Sequence, residues 1–320
     1  MHRIIPDHES LPRPNAHTIM LSFLPGPIKG LIAALLLTLN TLFWVPVLLT
    51  VALVKLLFPL RAVRLRLDPL ALRIAEAWIS GNSAWMRLTQ RLEWEVSGFE
   101  HLNIGQWTLV VCNHQSWVDI LVLQHLLNRR IPLLKFFLKR ELIWVPIMGL
   151  AWWALEFPFM RRHSAAYLER HPEARGRDAA TTRAACEKYA LVPTSVMNFL
   201  EGTRFTAAKH ARQGSPYRHL LKPKAGGVAL ALQAMGEKFG SVLDVTVVYP
   251  QGVPSFWQFL QGRCPRIVVS ARSLPVPPLH QCADEAQARA QCQDWVNQLW
   301  RDKDALIDRL LPTRRATPTP

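Results

Sequence analysis

The residues best equipped for chemistry lie in one short run, Asn113-His114-Gln115-Ser116-Trp117-Val118-Asp119, directly after the apolar stretch TLVVC. An imidazole at a strand end, with a carboxylate in the first turn of the following helix, can be brought together by the turn between them. In such a pair the imidazole accepts the proton of an alcohol, while the carboxylate fixes the tautomer and stabilises the imidazolium that forms. The nucleophile is then the hydroxyl of an acceptor molecule rather than a protein side chain. Taken alone, the spacing H-x4-D also fits two unrelated surface groups.

A second run, Glu201-Gly202-Thr203-Arg204, follows the apolar stretch TSVMNFL. A glycine at a strand end lets backbone approach a ligand, and an arginine offers a bidentate grip on phosphate. The competing reading is an ordinary turn closed by a Glu–Arg pair. Two further basic groups accompany it: Phe157-Pro158-Phe159-Met160-Arg161-Arg162, and Lys209, His210, Arg212, Arg218, Lys222 and Lys224 ahead of Ala225-Gly226-Gly227. They are either solvated faces or collectors of an anionic headgroup or carrier phosphates.

These side chains need a scaffold of strands and helices. Short Val-, Leu- and Ile-rich runs bounded by Pro, Gly or Asn predict strands at Trp107–Cys112, Ile131–Phe137, Thr194–Leu200, Leu243–Tyr249 and Arg266–Ser270. Between them Asp119–Leu127, Asp178–Ala190 and Gly227–Lys238 read as helices, and Cys292, Trp295, Leu299, Leu306 and Leu310 mark a last packing helix. This alternation predicts an α/β domain with a mixed, largely buried sheet flanked by helices.

Upstream, Gly30–Val54 carries no charged residue. As a helix it would reach about 37 Å, enough for a hydrocarbon core of about 30 Å. Lys29 precedes it and Lys55, Arg61, Arg64, Arg66 and Arg73 follow, so the positive-inside rule puts the C-terminal part in the cytoplasm. Pro46 either kinks one spanning helix or divides it into a hairpin within one leaflet. The expected divisions are an irregular segment 1–28, a membrane helix or hairpin 29–60, a catalytic domain 61–311 and a disordered tail 312–320. A second uncharged run, Leu142–Leu155, is short for a span and reads as a core segment, with a membrane-dipping surface or an acyl-chain groove as alternatives.

The chain has 320 residues, 38 Lys and Arg against 23 Asp and Glu, and a formal charge of +15, which favours anionic partners of any kind. Five cysteines with no CxxC pair argue against a disulfide framework or a structural zinc site and for a reducing compartment. No nucleic-acid reader motif accompanies the basic residues.

NHQSWVD and EGTR together, in this order and separation, resemble the NHxxxxD and EGTR blocks of the lysophosphatidate (PlsC-type) acyltransferase family, over about Trp94 to Ser270. FPFMRR, FLEGTRFT and PKAGG are especially similar to one bacterial branch of it. The resemblance implies a glycerolipid acyltransferase-like fold and a membrane-bound enzyme of phospholipid synthesis. Such an enzyme would move a fatty acyl group from acyl-CoA or acyl carrier protein to 1-acylglycerol-3-phosphate at the cytoplasmic face of a bacterial inner membrane. It implies His114 as general base, Asp119 as its support, and Arg162, Glu201, Gly202, Thr203 and Arg204 around the acceptor's phosphate, with no metal, cofactor, acyl-enzyme or nucleic acid. Two blocks depart from the pattern: Glu156, Phe159, Met160 and Arg162 stand where GxxFIxR is usual, and Val245-Thr246-Val247 where VPV is usual. Another lysophospholipid headgroup is therefore the first alternative. Rivals of other kinds are a thioesterase-like hydrolase and a membrane-tethered protein that binds anionic lipid.

Overall fold

The computed structural model describes residues 21, 23–157, 159–160, 170, 192–279, 282 and 285–311. Two long helices come first, α1 (Gly26–Leu57) and α2 (Arg61–Thr89), followed by β1 (Glu93–Ser97), β2 (Trp107–Cys112), α3 (Val118–Leu127), β3 (Leu134–Phe136) and β4 (Leu138–Lys139). A 3₁₀ turn at Arg140–Trp144 leads into α4 (Met148–Ala154) and β5 (Phe159–Met160). The chain continues with β6 (Ser195–Phe199), α5 (Ala207–Gln213), α6 (Gly226–Met235), β7 (Phe239–Val248), α7 (Phe256–Leu260), β8 (Arg266–Leu274) and α8 (Glu285–Leu310).

Six strands form one sheet in the order β1-β8-β7-β2-β6-β3, parallel throughout except for the antiparallel pair β7–β8. Strand β2 is central, and its unbroken apolar sequence has the pleat of a strand buried on both faces. Val110 and Cys112 join α3, Trp85 and Met86 of α2, and Phe259 of α7 in one core. Leu109 and Val111 face the opposite way, into a core with α6 and α8. The sheet thus lies between two helical layers, the mixed α/β arrangement expected from the sequence.

On the second face α8 is tied down by an ion pair. Lys303 is fully buried, and its ammonium donates to the Val245 carbonyl at 2.7 Å, to Thr246 Oγ1 at 2.9 Å and to Asp244 Oδ1 at 2.6 Å. Arg272 closes on the other Asp244 oxygen at 2.8 Å. Thr246 is therefore an acceptor for a buried cation, and it stays in register with Ser270 of β8.

The N-terminal region differs from its expected outline. Helix α1 starts at Gly26, inside the segment read as irregular, because a proline at the start of a helix costs nothing: the amide it lacks has no partner there anyway. Pro46 does not divide the helix, which continues to Leu57. The hairpin is formed instead by α1 and α2, and α2 has no counterpart in the sequence reading. A polar seam joins the pair: Asn40 Nδ2 donates to the Trp78 carbonyl and to Asn82 Oδ1, both at 2.9 Å, and Trp78 Nε1 donates to Thr41 Oγ1 at 3.3 Å. The expected strand at Ile131–Phe137 shortens to Leu134–Phe136, while that at Leu243–Tyr249 extends back to Phe239. The expected helix Asp178–Ala190 and the tail 312–320 lie outside the described residues.

Candidate active site

The loop after β2 begins where a side chain takes over the pairing with β7. Beyond Cys112, the fully buried Asn113 extends the ladder with its side chain: Nδ2 donates to the Val247 carbonyl and Oδ1 accepts from the Val247 amide, each at 2.9 Å. This fixes the chain one residue before His114. The imidazole then meets Asp119 in the first turn of α3, with Nδ1 to Oδ2 at 2.9 Å. That oxygen also accepts from the amides of Gln115 at 2.6 Å and Ser116 at 2.9 Å, and Oδ1 accepts from the Tyr249 hydroxyl at 2.6 Å. Asp119 is wholly buried and has four donors, so its orientation is over-determined. Burial, with the Asp119 charge second, holds the Tyr249 phenol well above its usual range, so it remains a donor.

With the carboxylate on Nδ1, the proton sits there and the lone pair is left on Nε2. Phe199 stacks on the ring, centroids 3.9 Å apart and planes 13° from parallel, fixing the ring plane from the β6 side. Phe136 follows Phe199 at 6.1 Å and Phe157 follows Phe136 at 6.3 Å, an apolar row leading from the base toward α4.

The second motif is welded to the first through main chain. Glu201 follows β6 and is fully buried; its Oε1 accepts from the His114 amide at 2.8 Å and its Oε2 from the Leu221 amide at 2.9 Å. Burial pushes its carboxyl from 4.5 up to about 7, against the two amide donors and with Asp119 adding to the rise. The His114 carbonyl in turn accepts from the Phe205 amide at 2.8 Å. Gly202 lies between these anchors at φ 66°, a left-handed turn that a side chain would strain. The stem of Lys224 crosses this glycine, with Cδ 3.4 Å from where a β-carbon would lie. Lys209 Nζ donates to Thr203 Oγ1 at 2.8 Å and to the Arg204 carbonyl at 2.9 Å, closing the loop from the α5 side.

Of the expected site residues, His114 and Asp119 meet directly. Glu201 and Gly202 shape the loop, and both Glu201 oxygens are spent on backbone. Thr203 binds Lys209, and Arg204 projects outward with its guanidinium 4.7 Å over the exposed ring of Trp117. That stacking puts a cation beside the mouth of the base loop. Arg162 lies outside the described residues. Sequence reasoning missed Asn113 and Tyr249. Asn113 is adjacent to His114 and could have been flagged as a polar residue closing a buried strand, whereas Tyr249 is 130 residues from the carboxylate it binds and left no local trace.

The two loops thus meet at the ends of the neighbouring parallel strands β2 and β6. Residues 93–250 match the model of the Acyltransferase family, and this stretch is an acyltransferase-family domain. The chain is similar to 1-acyl-sn-glycerol-3-phosphate acyltransferase gamma of Mus musculus, 27% identical over 247 residues covering 70% of this chain and 61% of the relative. It is also similar to 1-acyl-sn-glycerol-3-phosphate acyltransferase delta of Homo sapiens, 28% identical over 224 residues covering 66% of this chain and 55% of the relative. The chain thus spans somewhat over half the length of these relatives. The crystal structure of the 1-acyl-sn-glycerophosphate acyltransferase PlsC from Thermotoga maritima shares the fold, with a TM-score of 0.51 at 19% identity, covering 88% of this chain and 98% of the other.

Proposed function

We propose that this protein is a membrane-bound O-acyltransferase that moves a fatty acyl group from acyl-CoA or acyl carrier protein to the free hydroxyl of 1-acylglycerol-3-phosphate. The observation that carries this reading is the coupling of two sites: an imidazole with an open Nε2, and a cationic loop hydrogen-bonded to both ends of the same histidine's main chain. A hydrolase acting on water has no use for the second.

In this mechanism the acceptor's phosphate lies against Arg204 and Lys224, and its hydroxyl donates to His114 Nε2. As the oxygen attacks the thioester carbonyl, its proton passes to Nε2 and negative charge collects on the carbonyl oxygen. The imidazolium is stabilised by the buried Asp119 carboxylate. Collapse of the tetrahedral intermediate breaks the C–S bond, and the thiolate takes the proton from Nε2, leaving ester, free thiol and neutral histidine.

Membrane association rests on α1, whose outward face is apolar and exposed at Leu31, Leu35, Leu39, Leu42 and Phe43. Two features favour a hairpin lying in one leaflet over a crossing helix. The N-terminal end of α1 packs on Trp257 of α7 and on Gln261 just after it, and its C-terminal half packs on α4, so both ends join the same folded body. We place that body at the cytoplasmic face of a bacterial inner membrane, where the exposed Arg61, Arg64 and Arg66 would meet anionic headgroups.

The test uses purified protein in lipid with labelled acyl-CoA or acyl carrier protein and a panel of lysophospholipids. The wild type transfers label to lysophosphatidate, His114→Ala loses turnover, and Arg204→Ala raises the apparent KM for the acceptor about tenfold, the loss of one charge-assisted contact. Free fatty acid as the product, or transfer undiminished in His114→Ala, excludes the assignment.

A further inference from the structure

The segment 140–155 plays no part in the mechanism, yet its construction is specific. The 3₁₀ turn and α4 are joined by Ile147 at φ 65°, a conformation that β-branched residues avoid. Two residues on, Gly149 lies so close to the Ile143 carbonyl that a β-carbon would sit 2.0 Å from its oxygen. Such local strain persists only where the surroundings impose it. The result is to thrust apolar side chains into solvent: Trp144 is 84% exposed and Trp153 46%, with Val145, Ile147 and Leu150 exposed beside them. Trp144 therefore does not line an internal acyl-chain groove.

The strap is fixed to the end of the helical hairpin. Ala151, Ala154 and Leu155 are buried against Val45, Leu48, Val51 and Ala52 of α1. At the same place Lys55 bridges Asp68 of α2 at 2.5 Å and Glu156 at 3.3 Å. Around the bend, Leu56, Leu57, Phe58, Leu60 and Leu65 are exposed, so the strap continues an apolar surface already present on the hairpin. Exposed cations surround it: Lys139 and Arg140 lead into the strap, and Arg61, Arg64 and Arg66 follow the bend, against two exposed acids, Glu141 and the Lys55-paired Glu156.

Building on the membrane-bound reading above, we propose that residues 140–155 form a second bilayer contact, which seats Trp144, Ile147, Leu150 and Trp153 at the headgroup–acyl boundary of an anionic membrane beside the α1–α2 bend. Tryptophan favours that boundary, the basic rim complements anionic lipid, and apolar area continuous with the hairpin adds to its hold. The apolar row Phe199–Phe136–Phe157 ends beside α4, so this contact would set the site's entrance against the bilayer.

The test attaches a nitroxide to a single cysteine introduced by Trp144→Cys or Trp153→Cys in full-length protein carrying Cys186→Ser and Cys282→Ser, reconstituted in phosphatidylcholine–phosphatidylglycerol vesicles. Leu39→Cys on the outward face of α1 and Asp294→Cys on α8 are the references. Spin-label collision with oxygen, relative to a water-soluble nickel complex, should be several-fold higher at 144, 153 and 39 than at 294. Labels at 144 and 153 that match 294, with 39 still protected, overturn the second contact while leaving the membrane-bound reading intact. Water access at 39 as well overturns both, and exclusion of both relaxants at 144 points to a second copy of the chain and overturns the bilayer contact.

Discussion

Replacing Asp119 by Asn removes one charge while keeping the shape of the site. The side chain has four donors: three N–H groups converge on Oδ2 and the Tyr249 hydroxyl on Oδ1. If the amide oxygen takes the Oδ2 place, all three N–H bonds survive, and the amide nitrogen can donate to a Tyr249 hydroxyl turned to accept. The histidine should therefore stay in position, and folding should change little. What disappears is the attraction between carboxylate and imidazolium as the proton arrives. For charges about 4 Å apart at an effective dielectric of about 20 this is worth about 4 kcal/mol. Turnover should accordingly fall about 10²–10³-fold, with the acceptor KM nearly unchanged, because the phosphate grip is untouched. Tyr249→Phe, which removes one neutral donor to the same carboxylate, should cost about tenfold or less. The assay is steady-state acyl transfer with saturating donor, accompanied by circular dichroism of each variant. A folded Asp119→Asn enzyme with kcat within about threefold of wild type would refute the electrostatic role of the pair.

Two further outcomes follow from buried charges. Glu201 has its folded pKa raised from 4.5 to about 7, so its ionisation weighs against the folded state increasingly as pH rises from about 4.5 through about 7. Glu201→Gln loses one backbone acceptor but does not titrate, so its thermal midpoint relative to wild type should improve between pH 5 and pH 8; a difference independent of pH overturns this assignment. Lys303→Ala leaves Asp244 buried with only Arg272 beside it, and should cost about 3–5 kcal/mol in denaturant unfolding, whereas a variant within about 1 kcal/mol of wild type contradicts the buried lock.

What could be read from the sequence follows the range of the forces involved. Strand β2 was legible because burial on both faces demands an unbroken apolar run, and α8 because a one-sided helix leaves a repeat. The pairing of His114 with Asp119 was legible because a single turn joins them. Helix α2 was not, since its arginine-rich exposed face and internal Pro69 hide the buried positions Ile74, Ala75, Ile79 and Trp85. Nor were the partners that make the site rigid. Tyr249, the Val247 main chain and the Leu221 amide reach it from over a hundred residues or across another strand, and pairings made only by tertiary folding leave no periodicity behind. The role of Glu201 belongs with these: the resemblance implied a place around the acceptor's phosphate, and only the fold shows that both oxygens are consumed on backbone amides.

His114 is gripped through its amide by Glu201 and through its carbonyl by the amide of Phe205, the neighbour of Arg204. On the proposed reading, the distance between the backbones of His114 and Arg204 is thus a fixed calliper, set by one short stretch of main chain instead of by two independently mobile lobes. A lipid whose hydroxyl and phosphate are separated differently would not be accommodated by sliding one jaw, and a new headgroup would have to be met by side chains around a gap whose width is already decided.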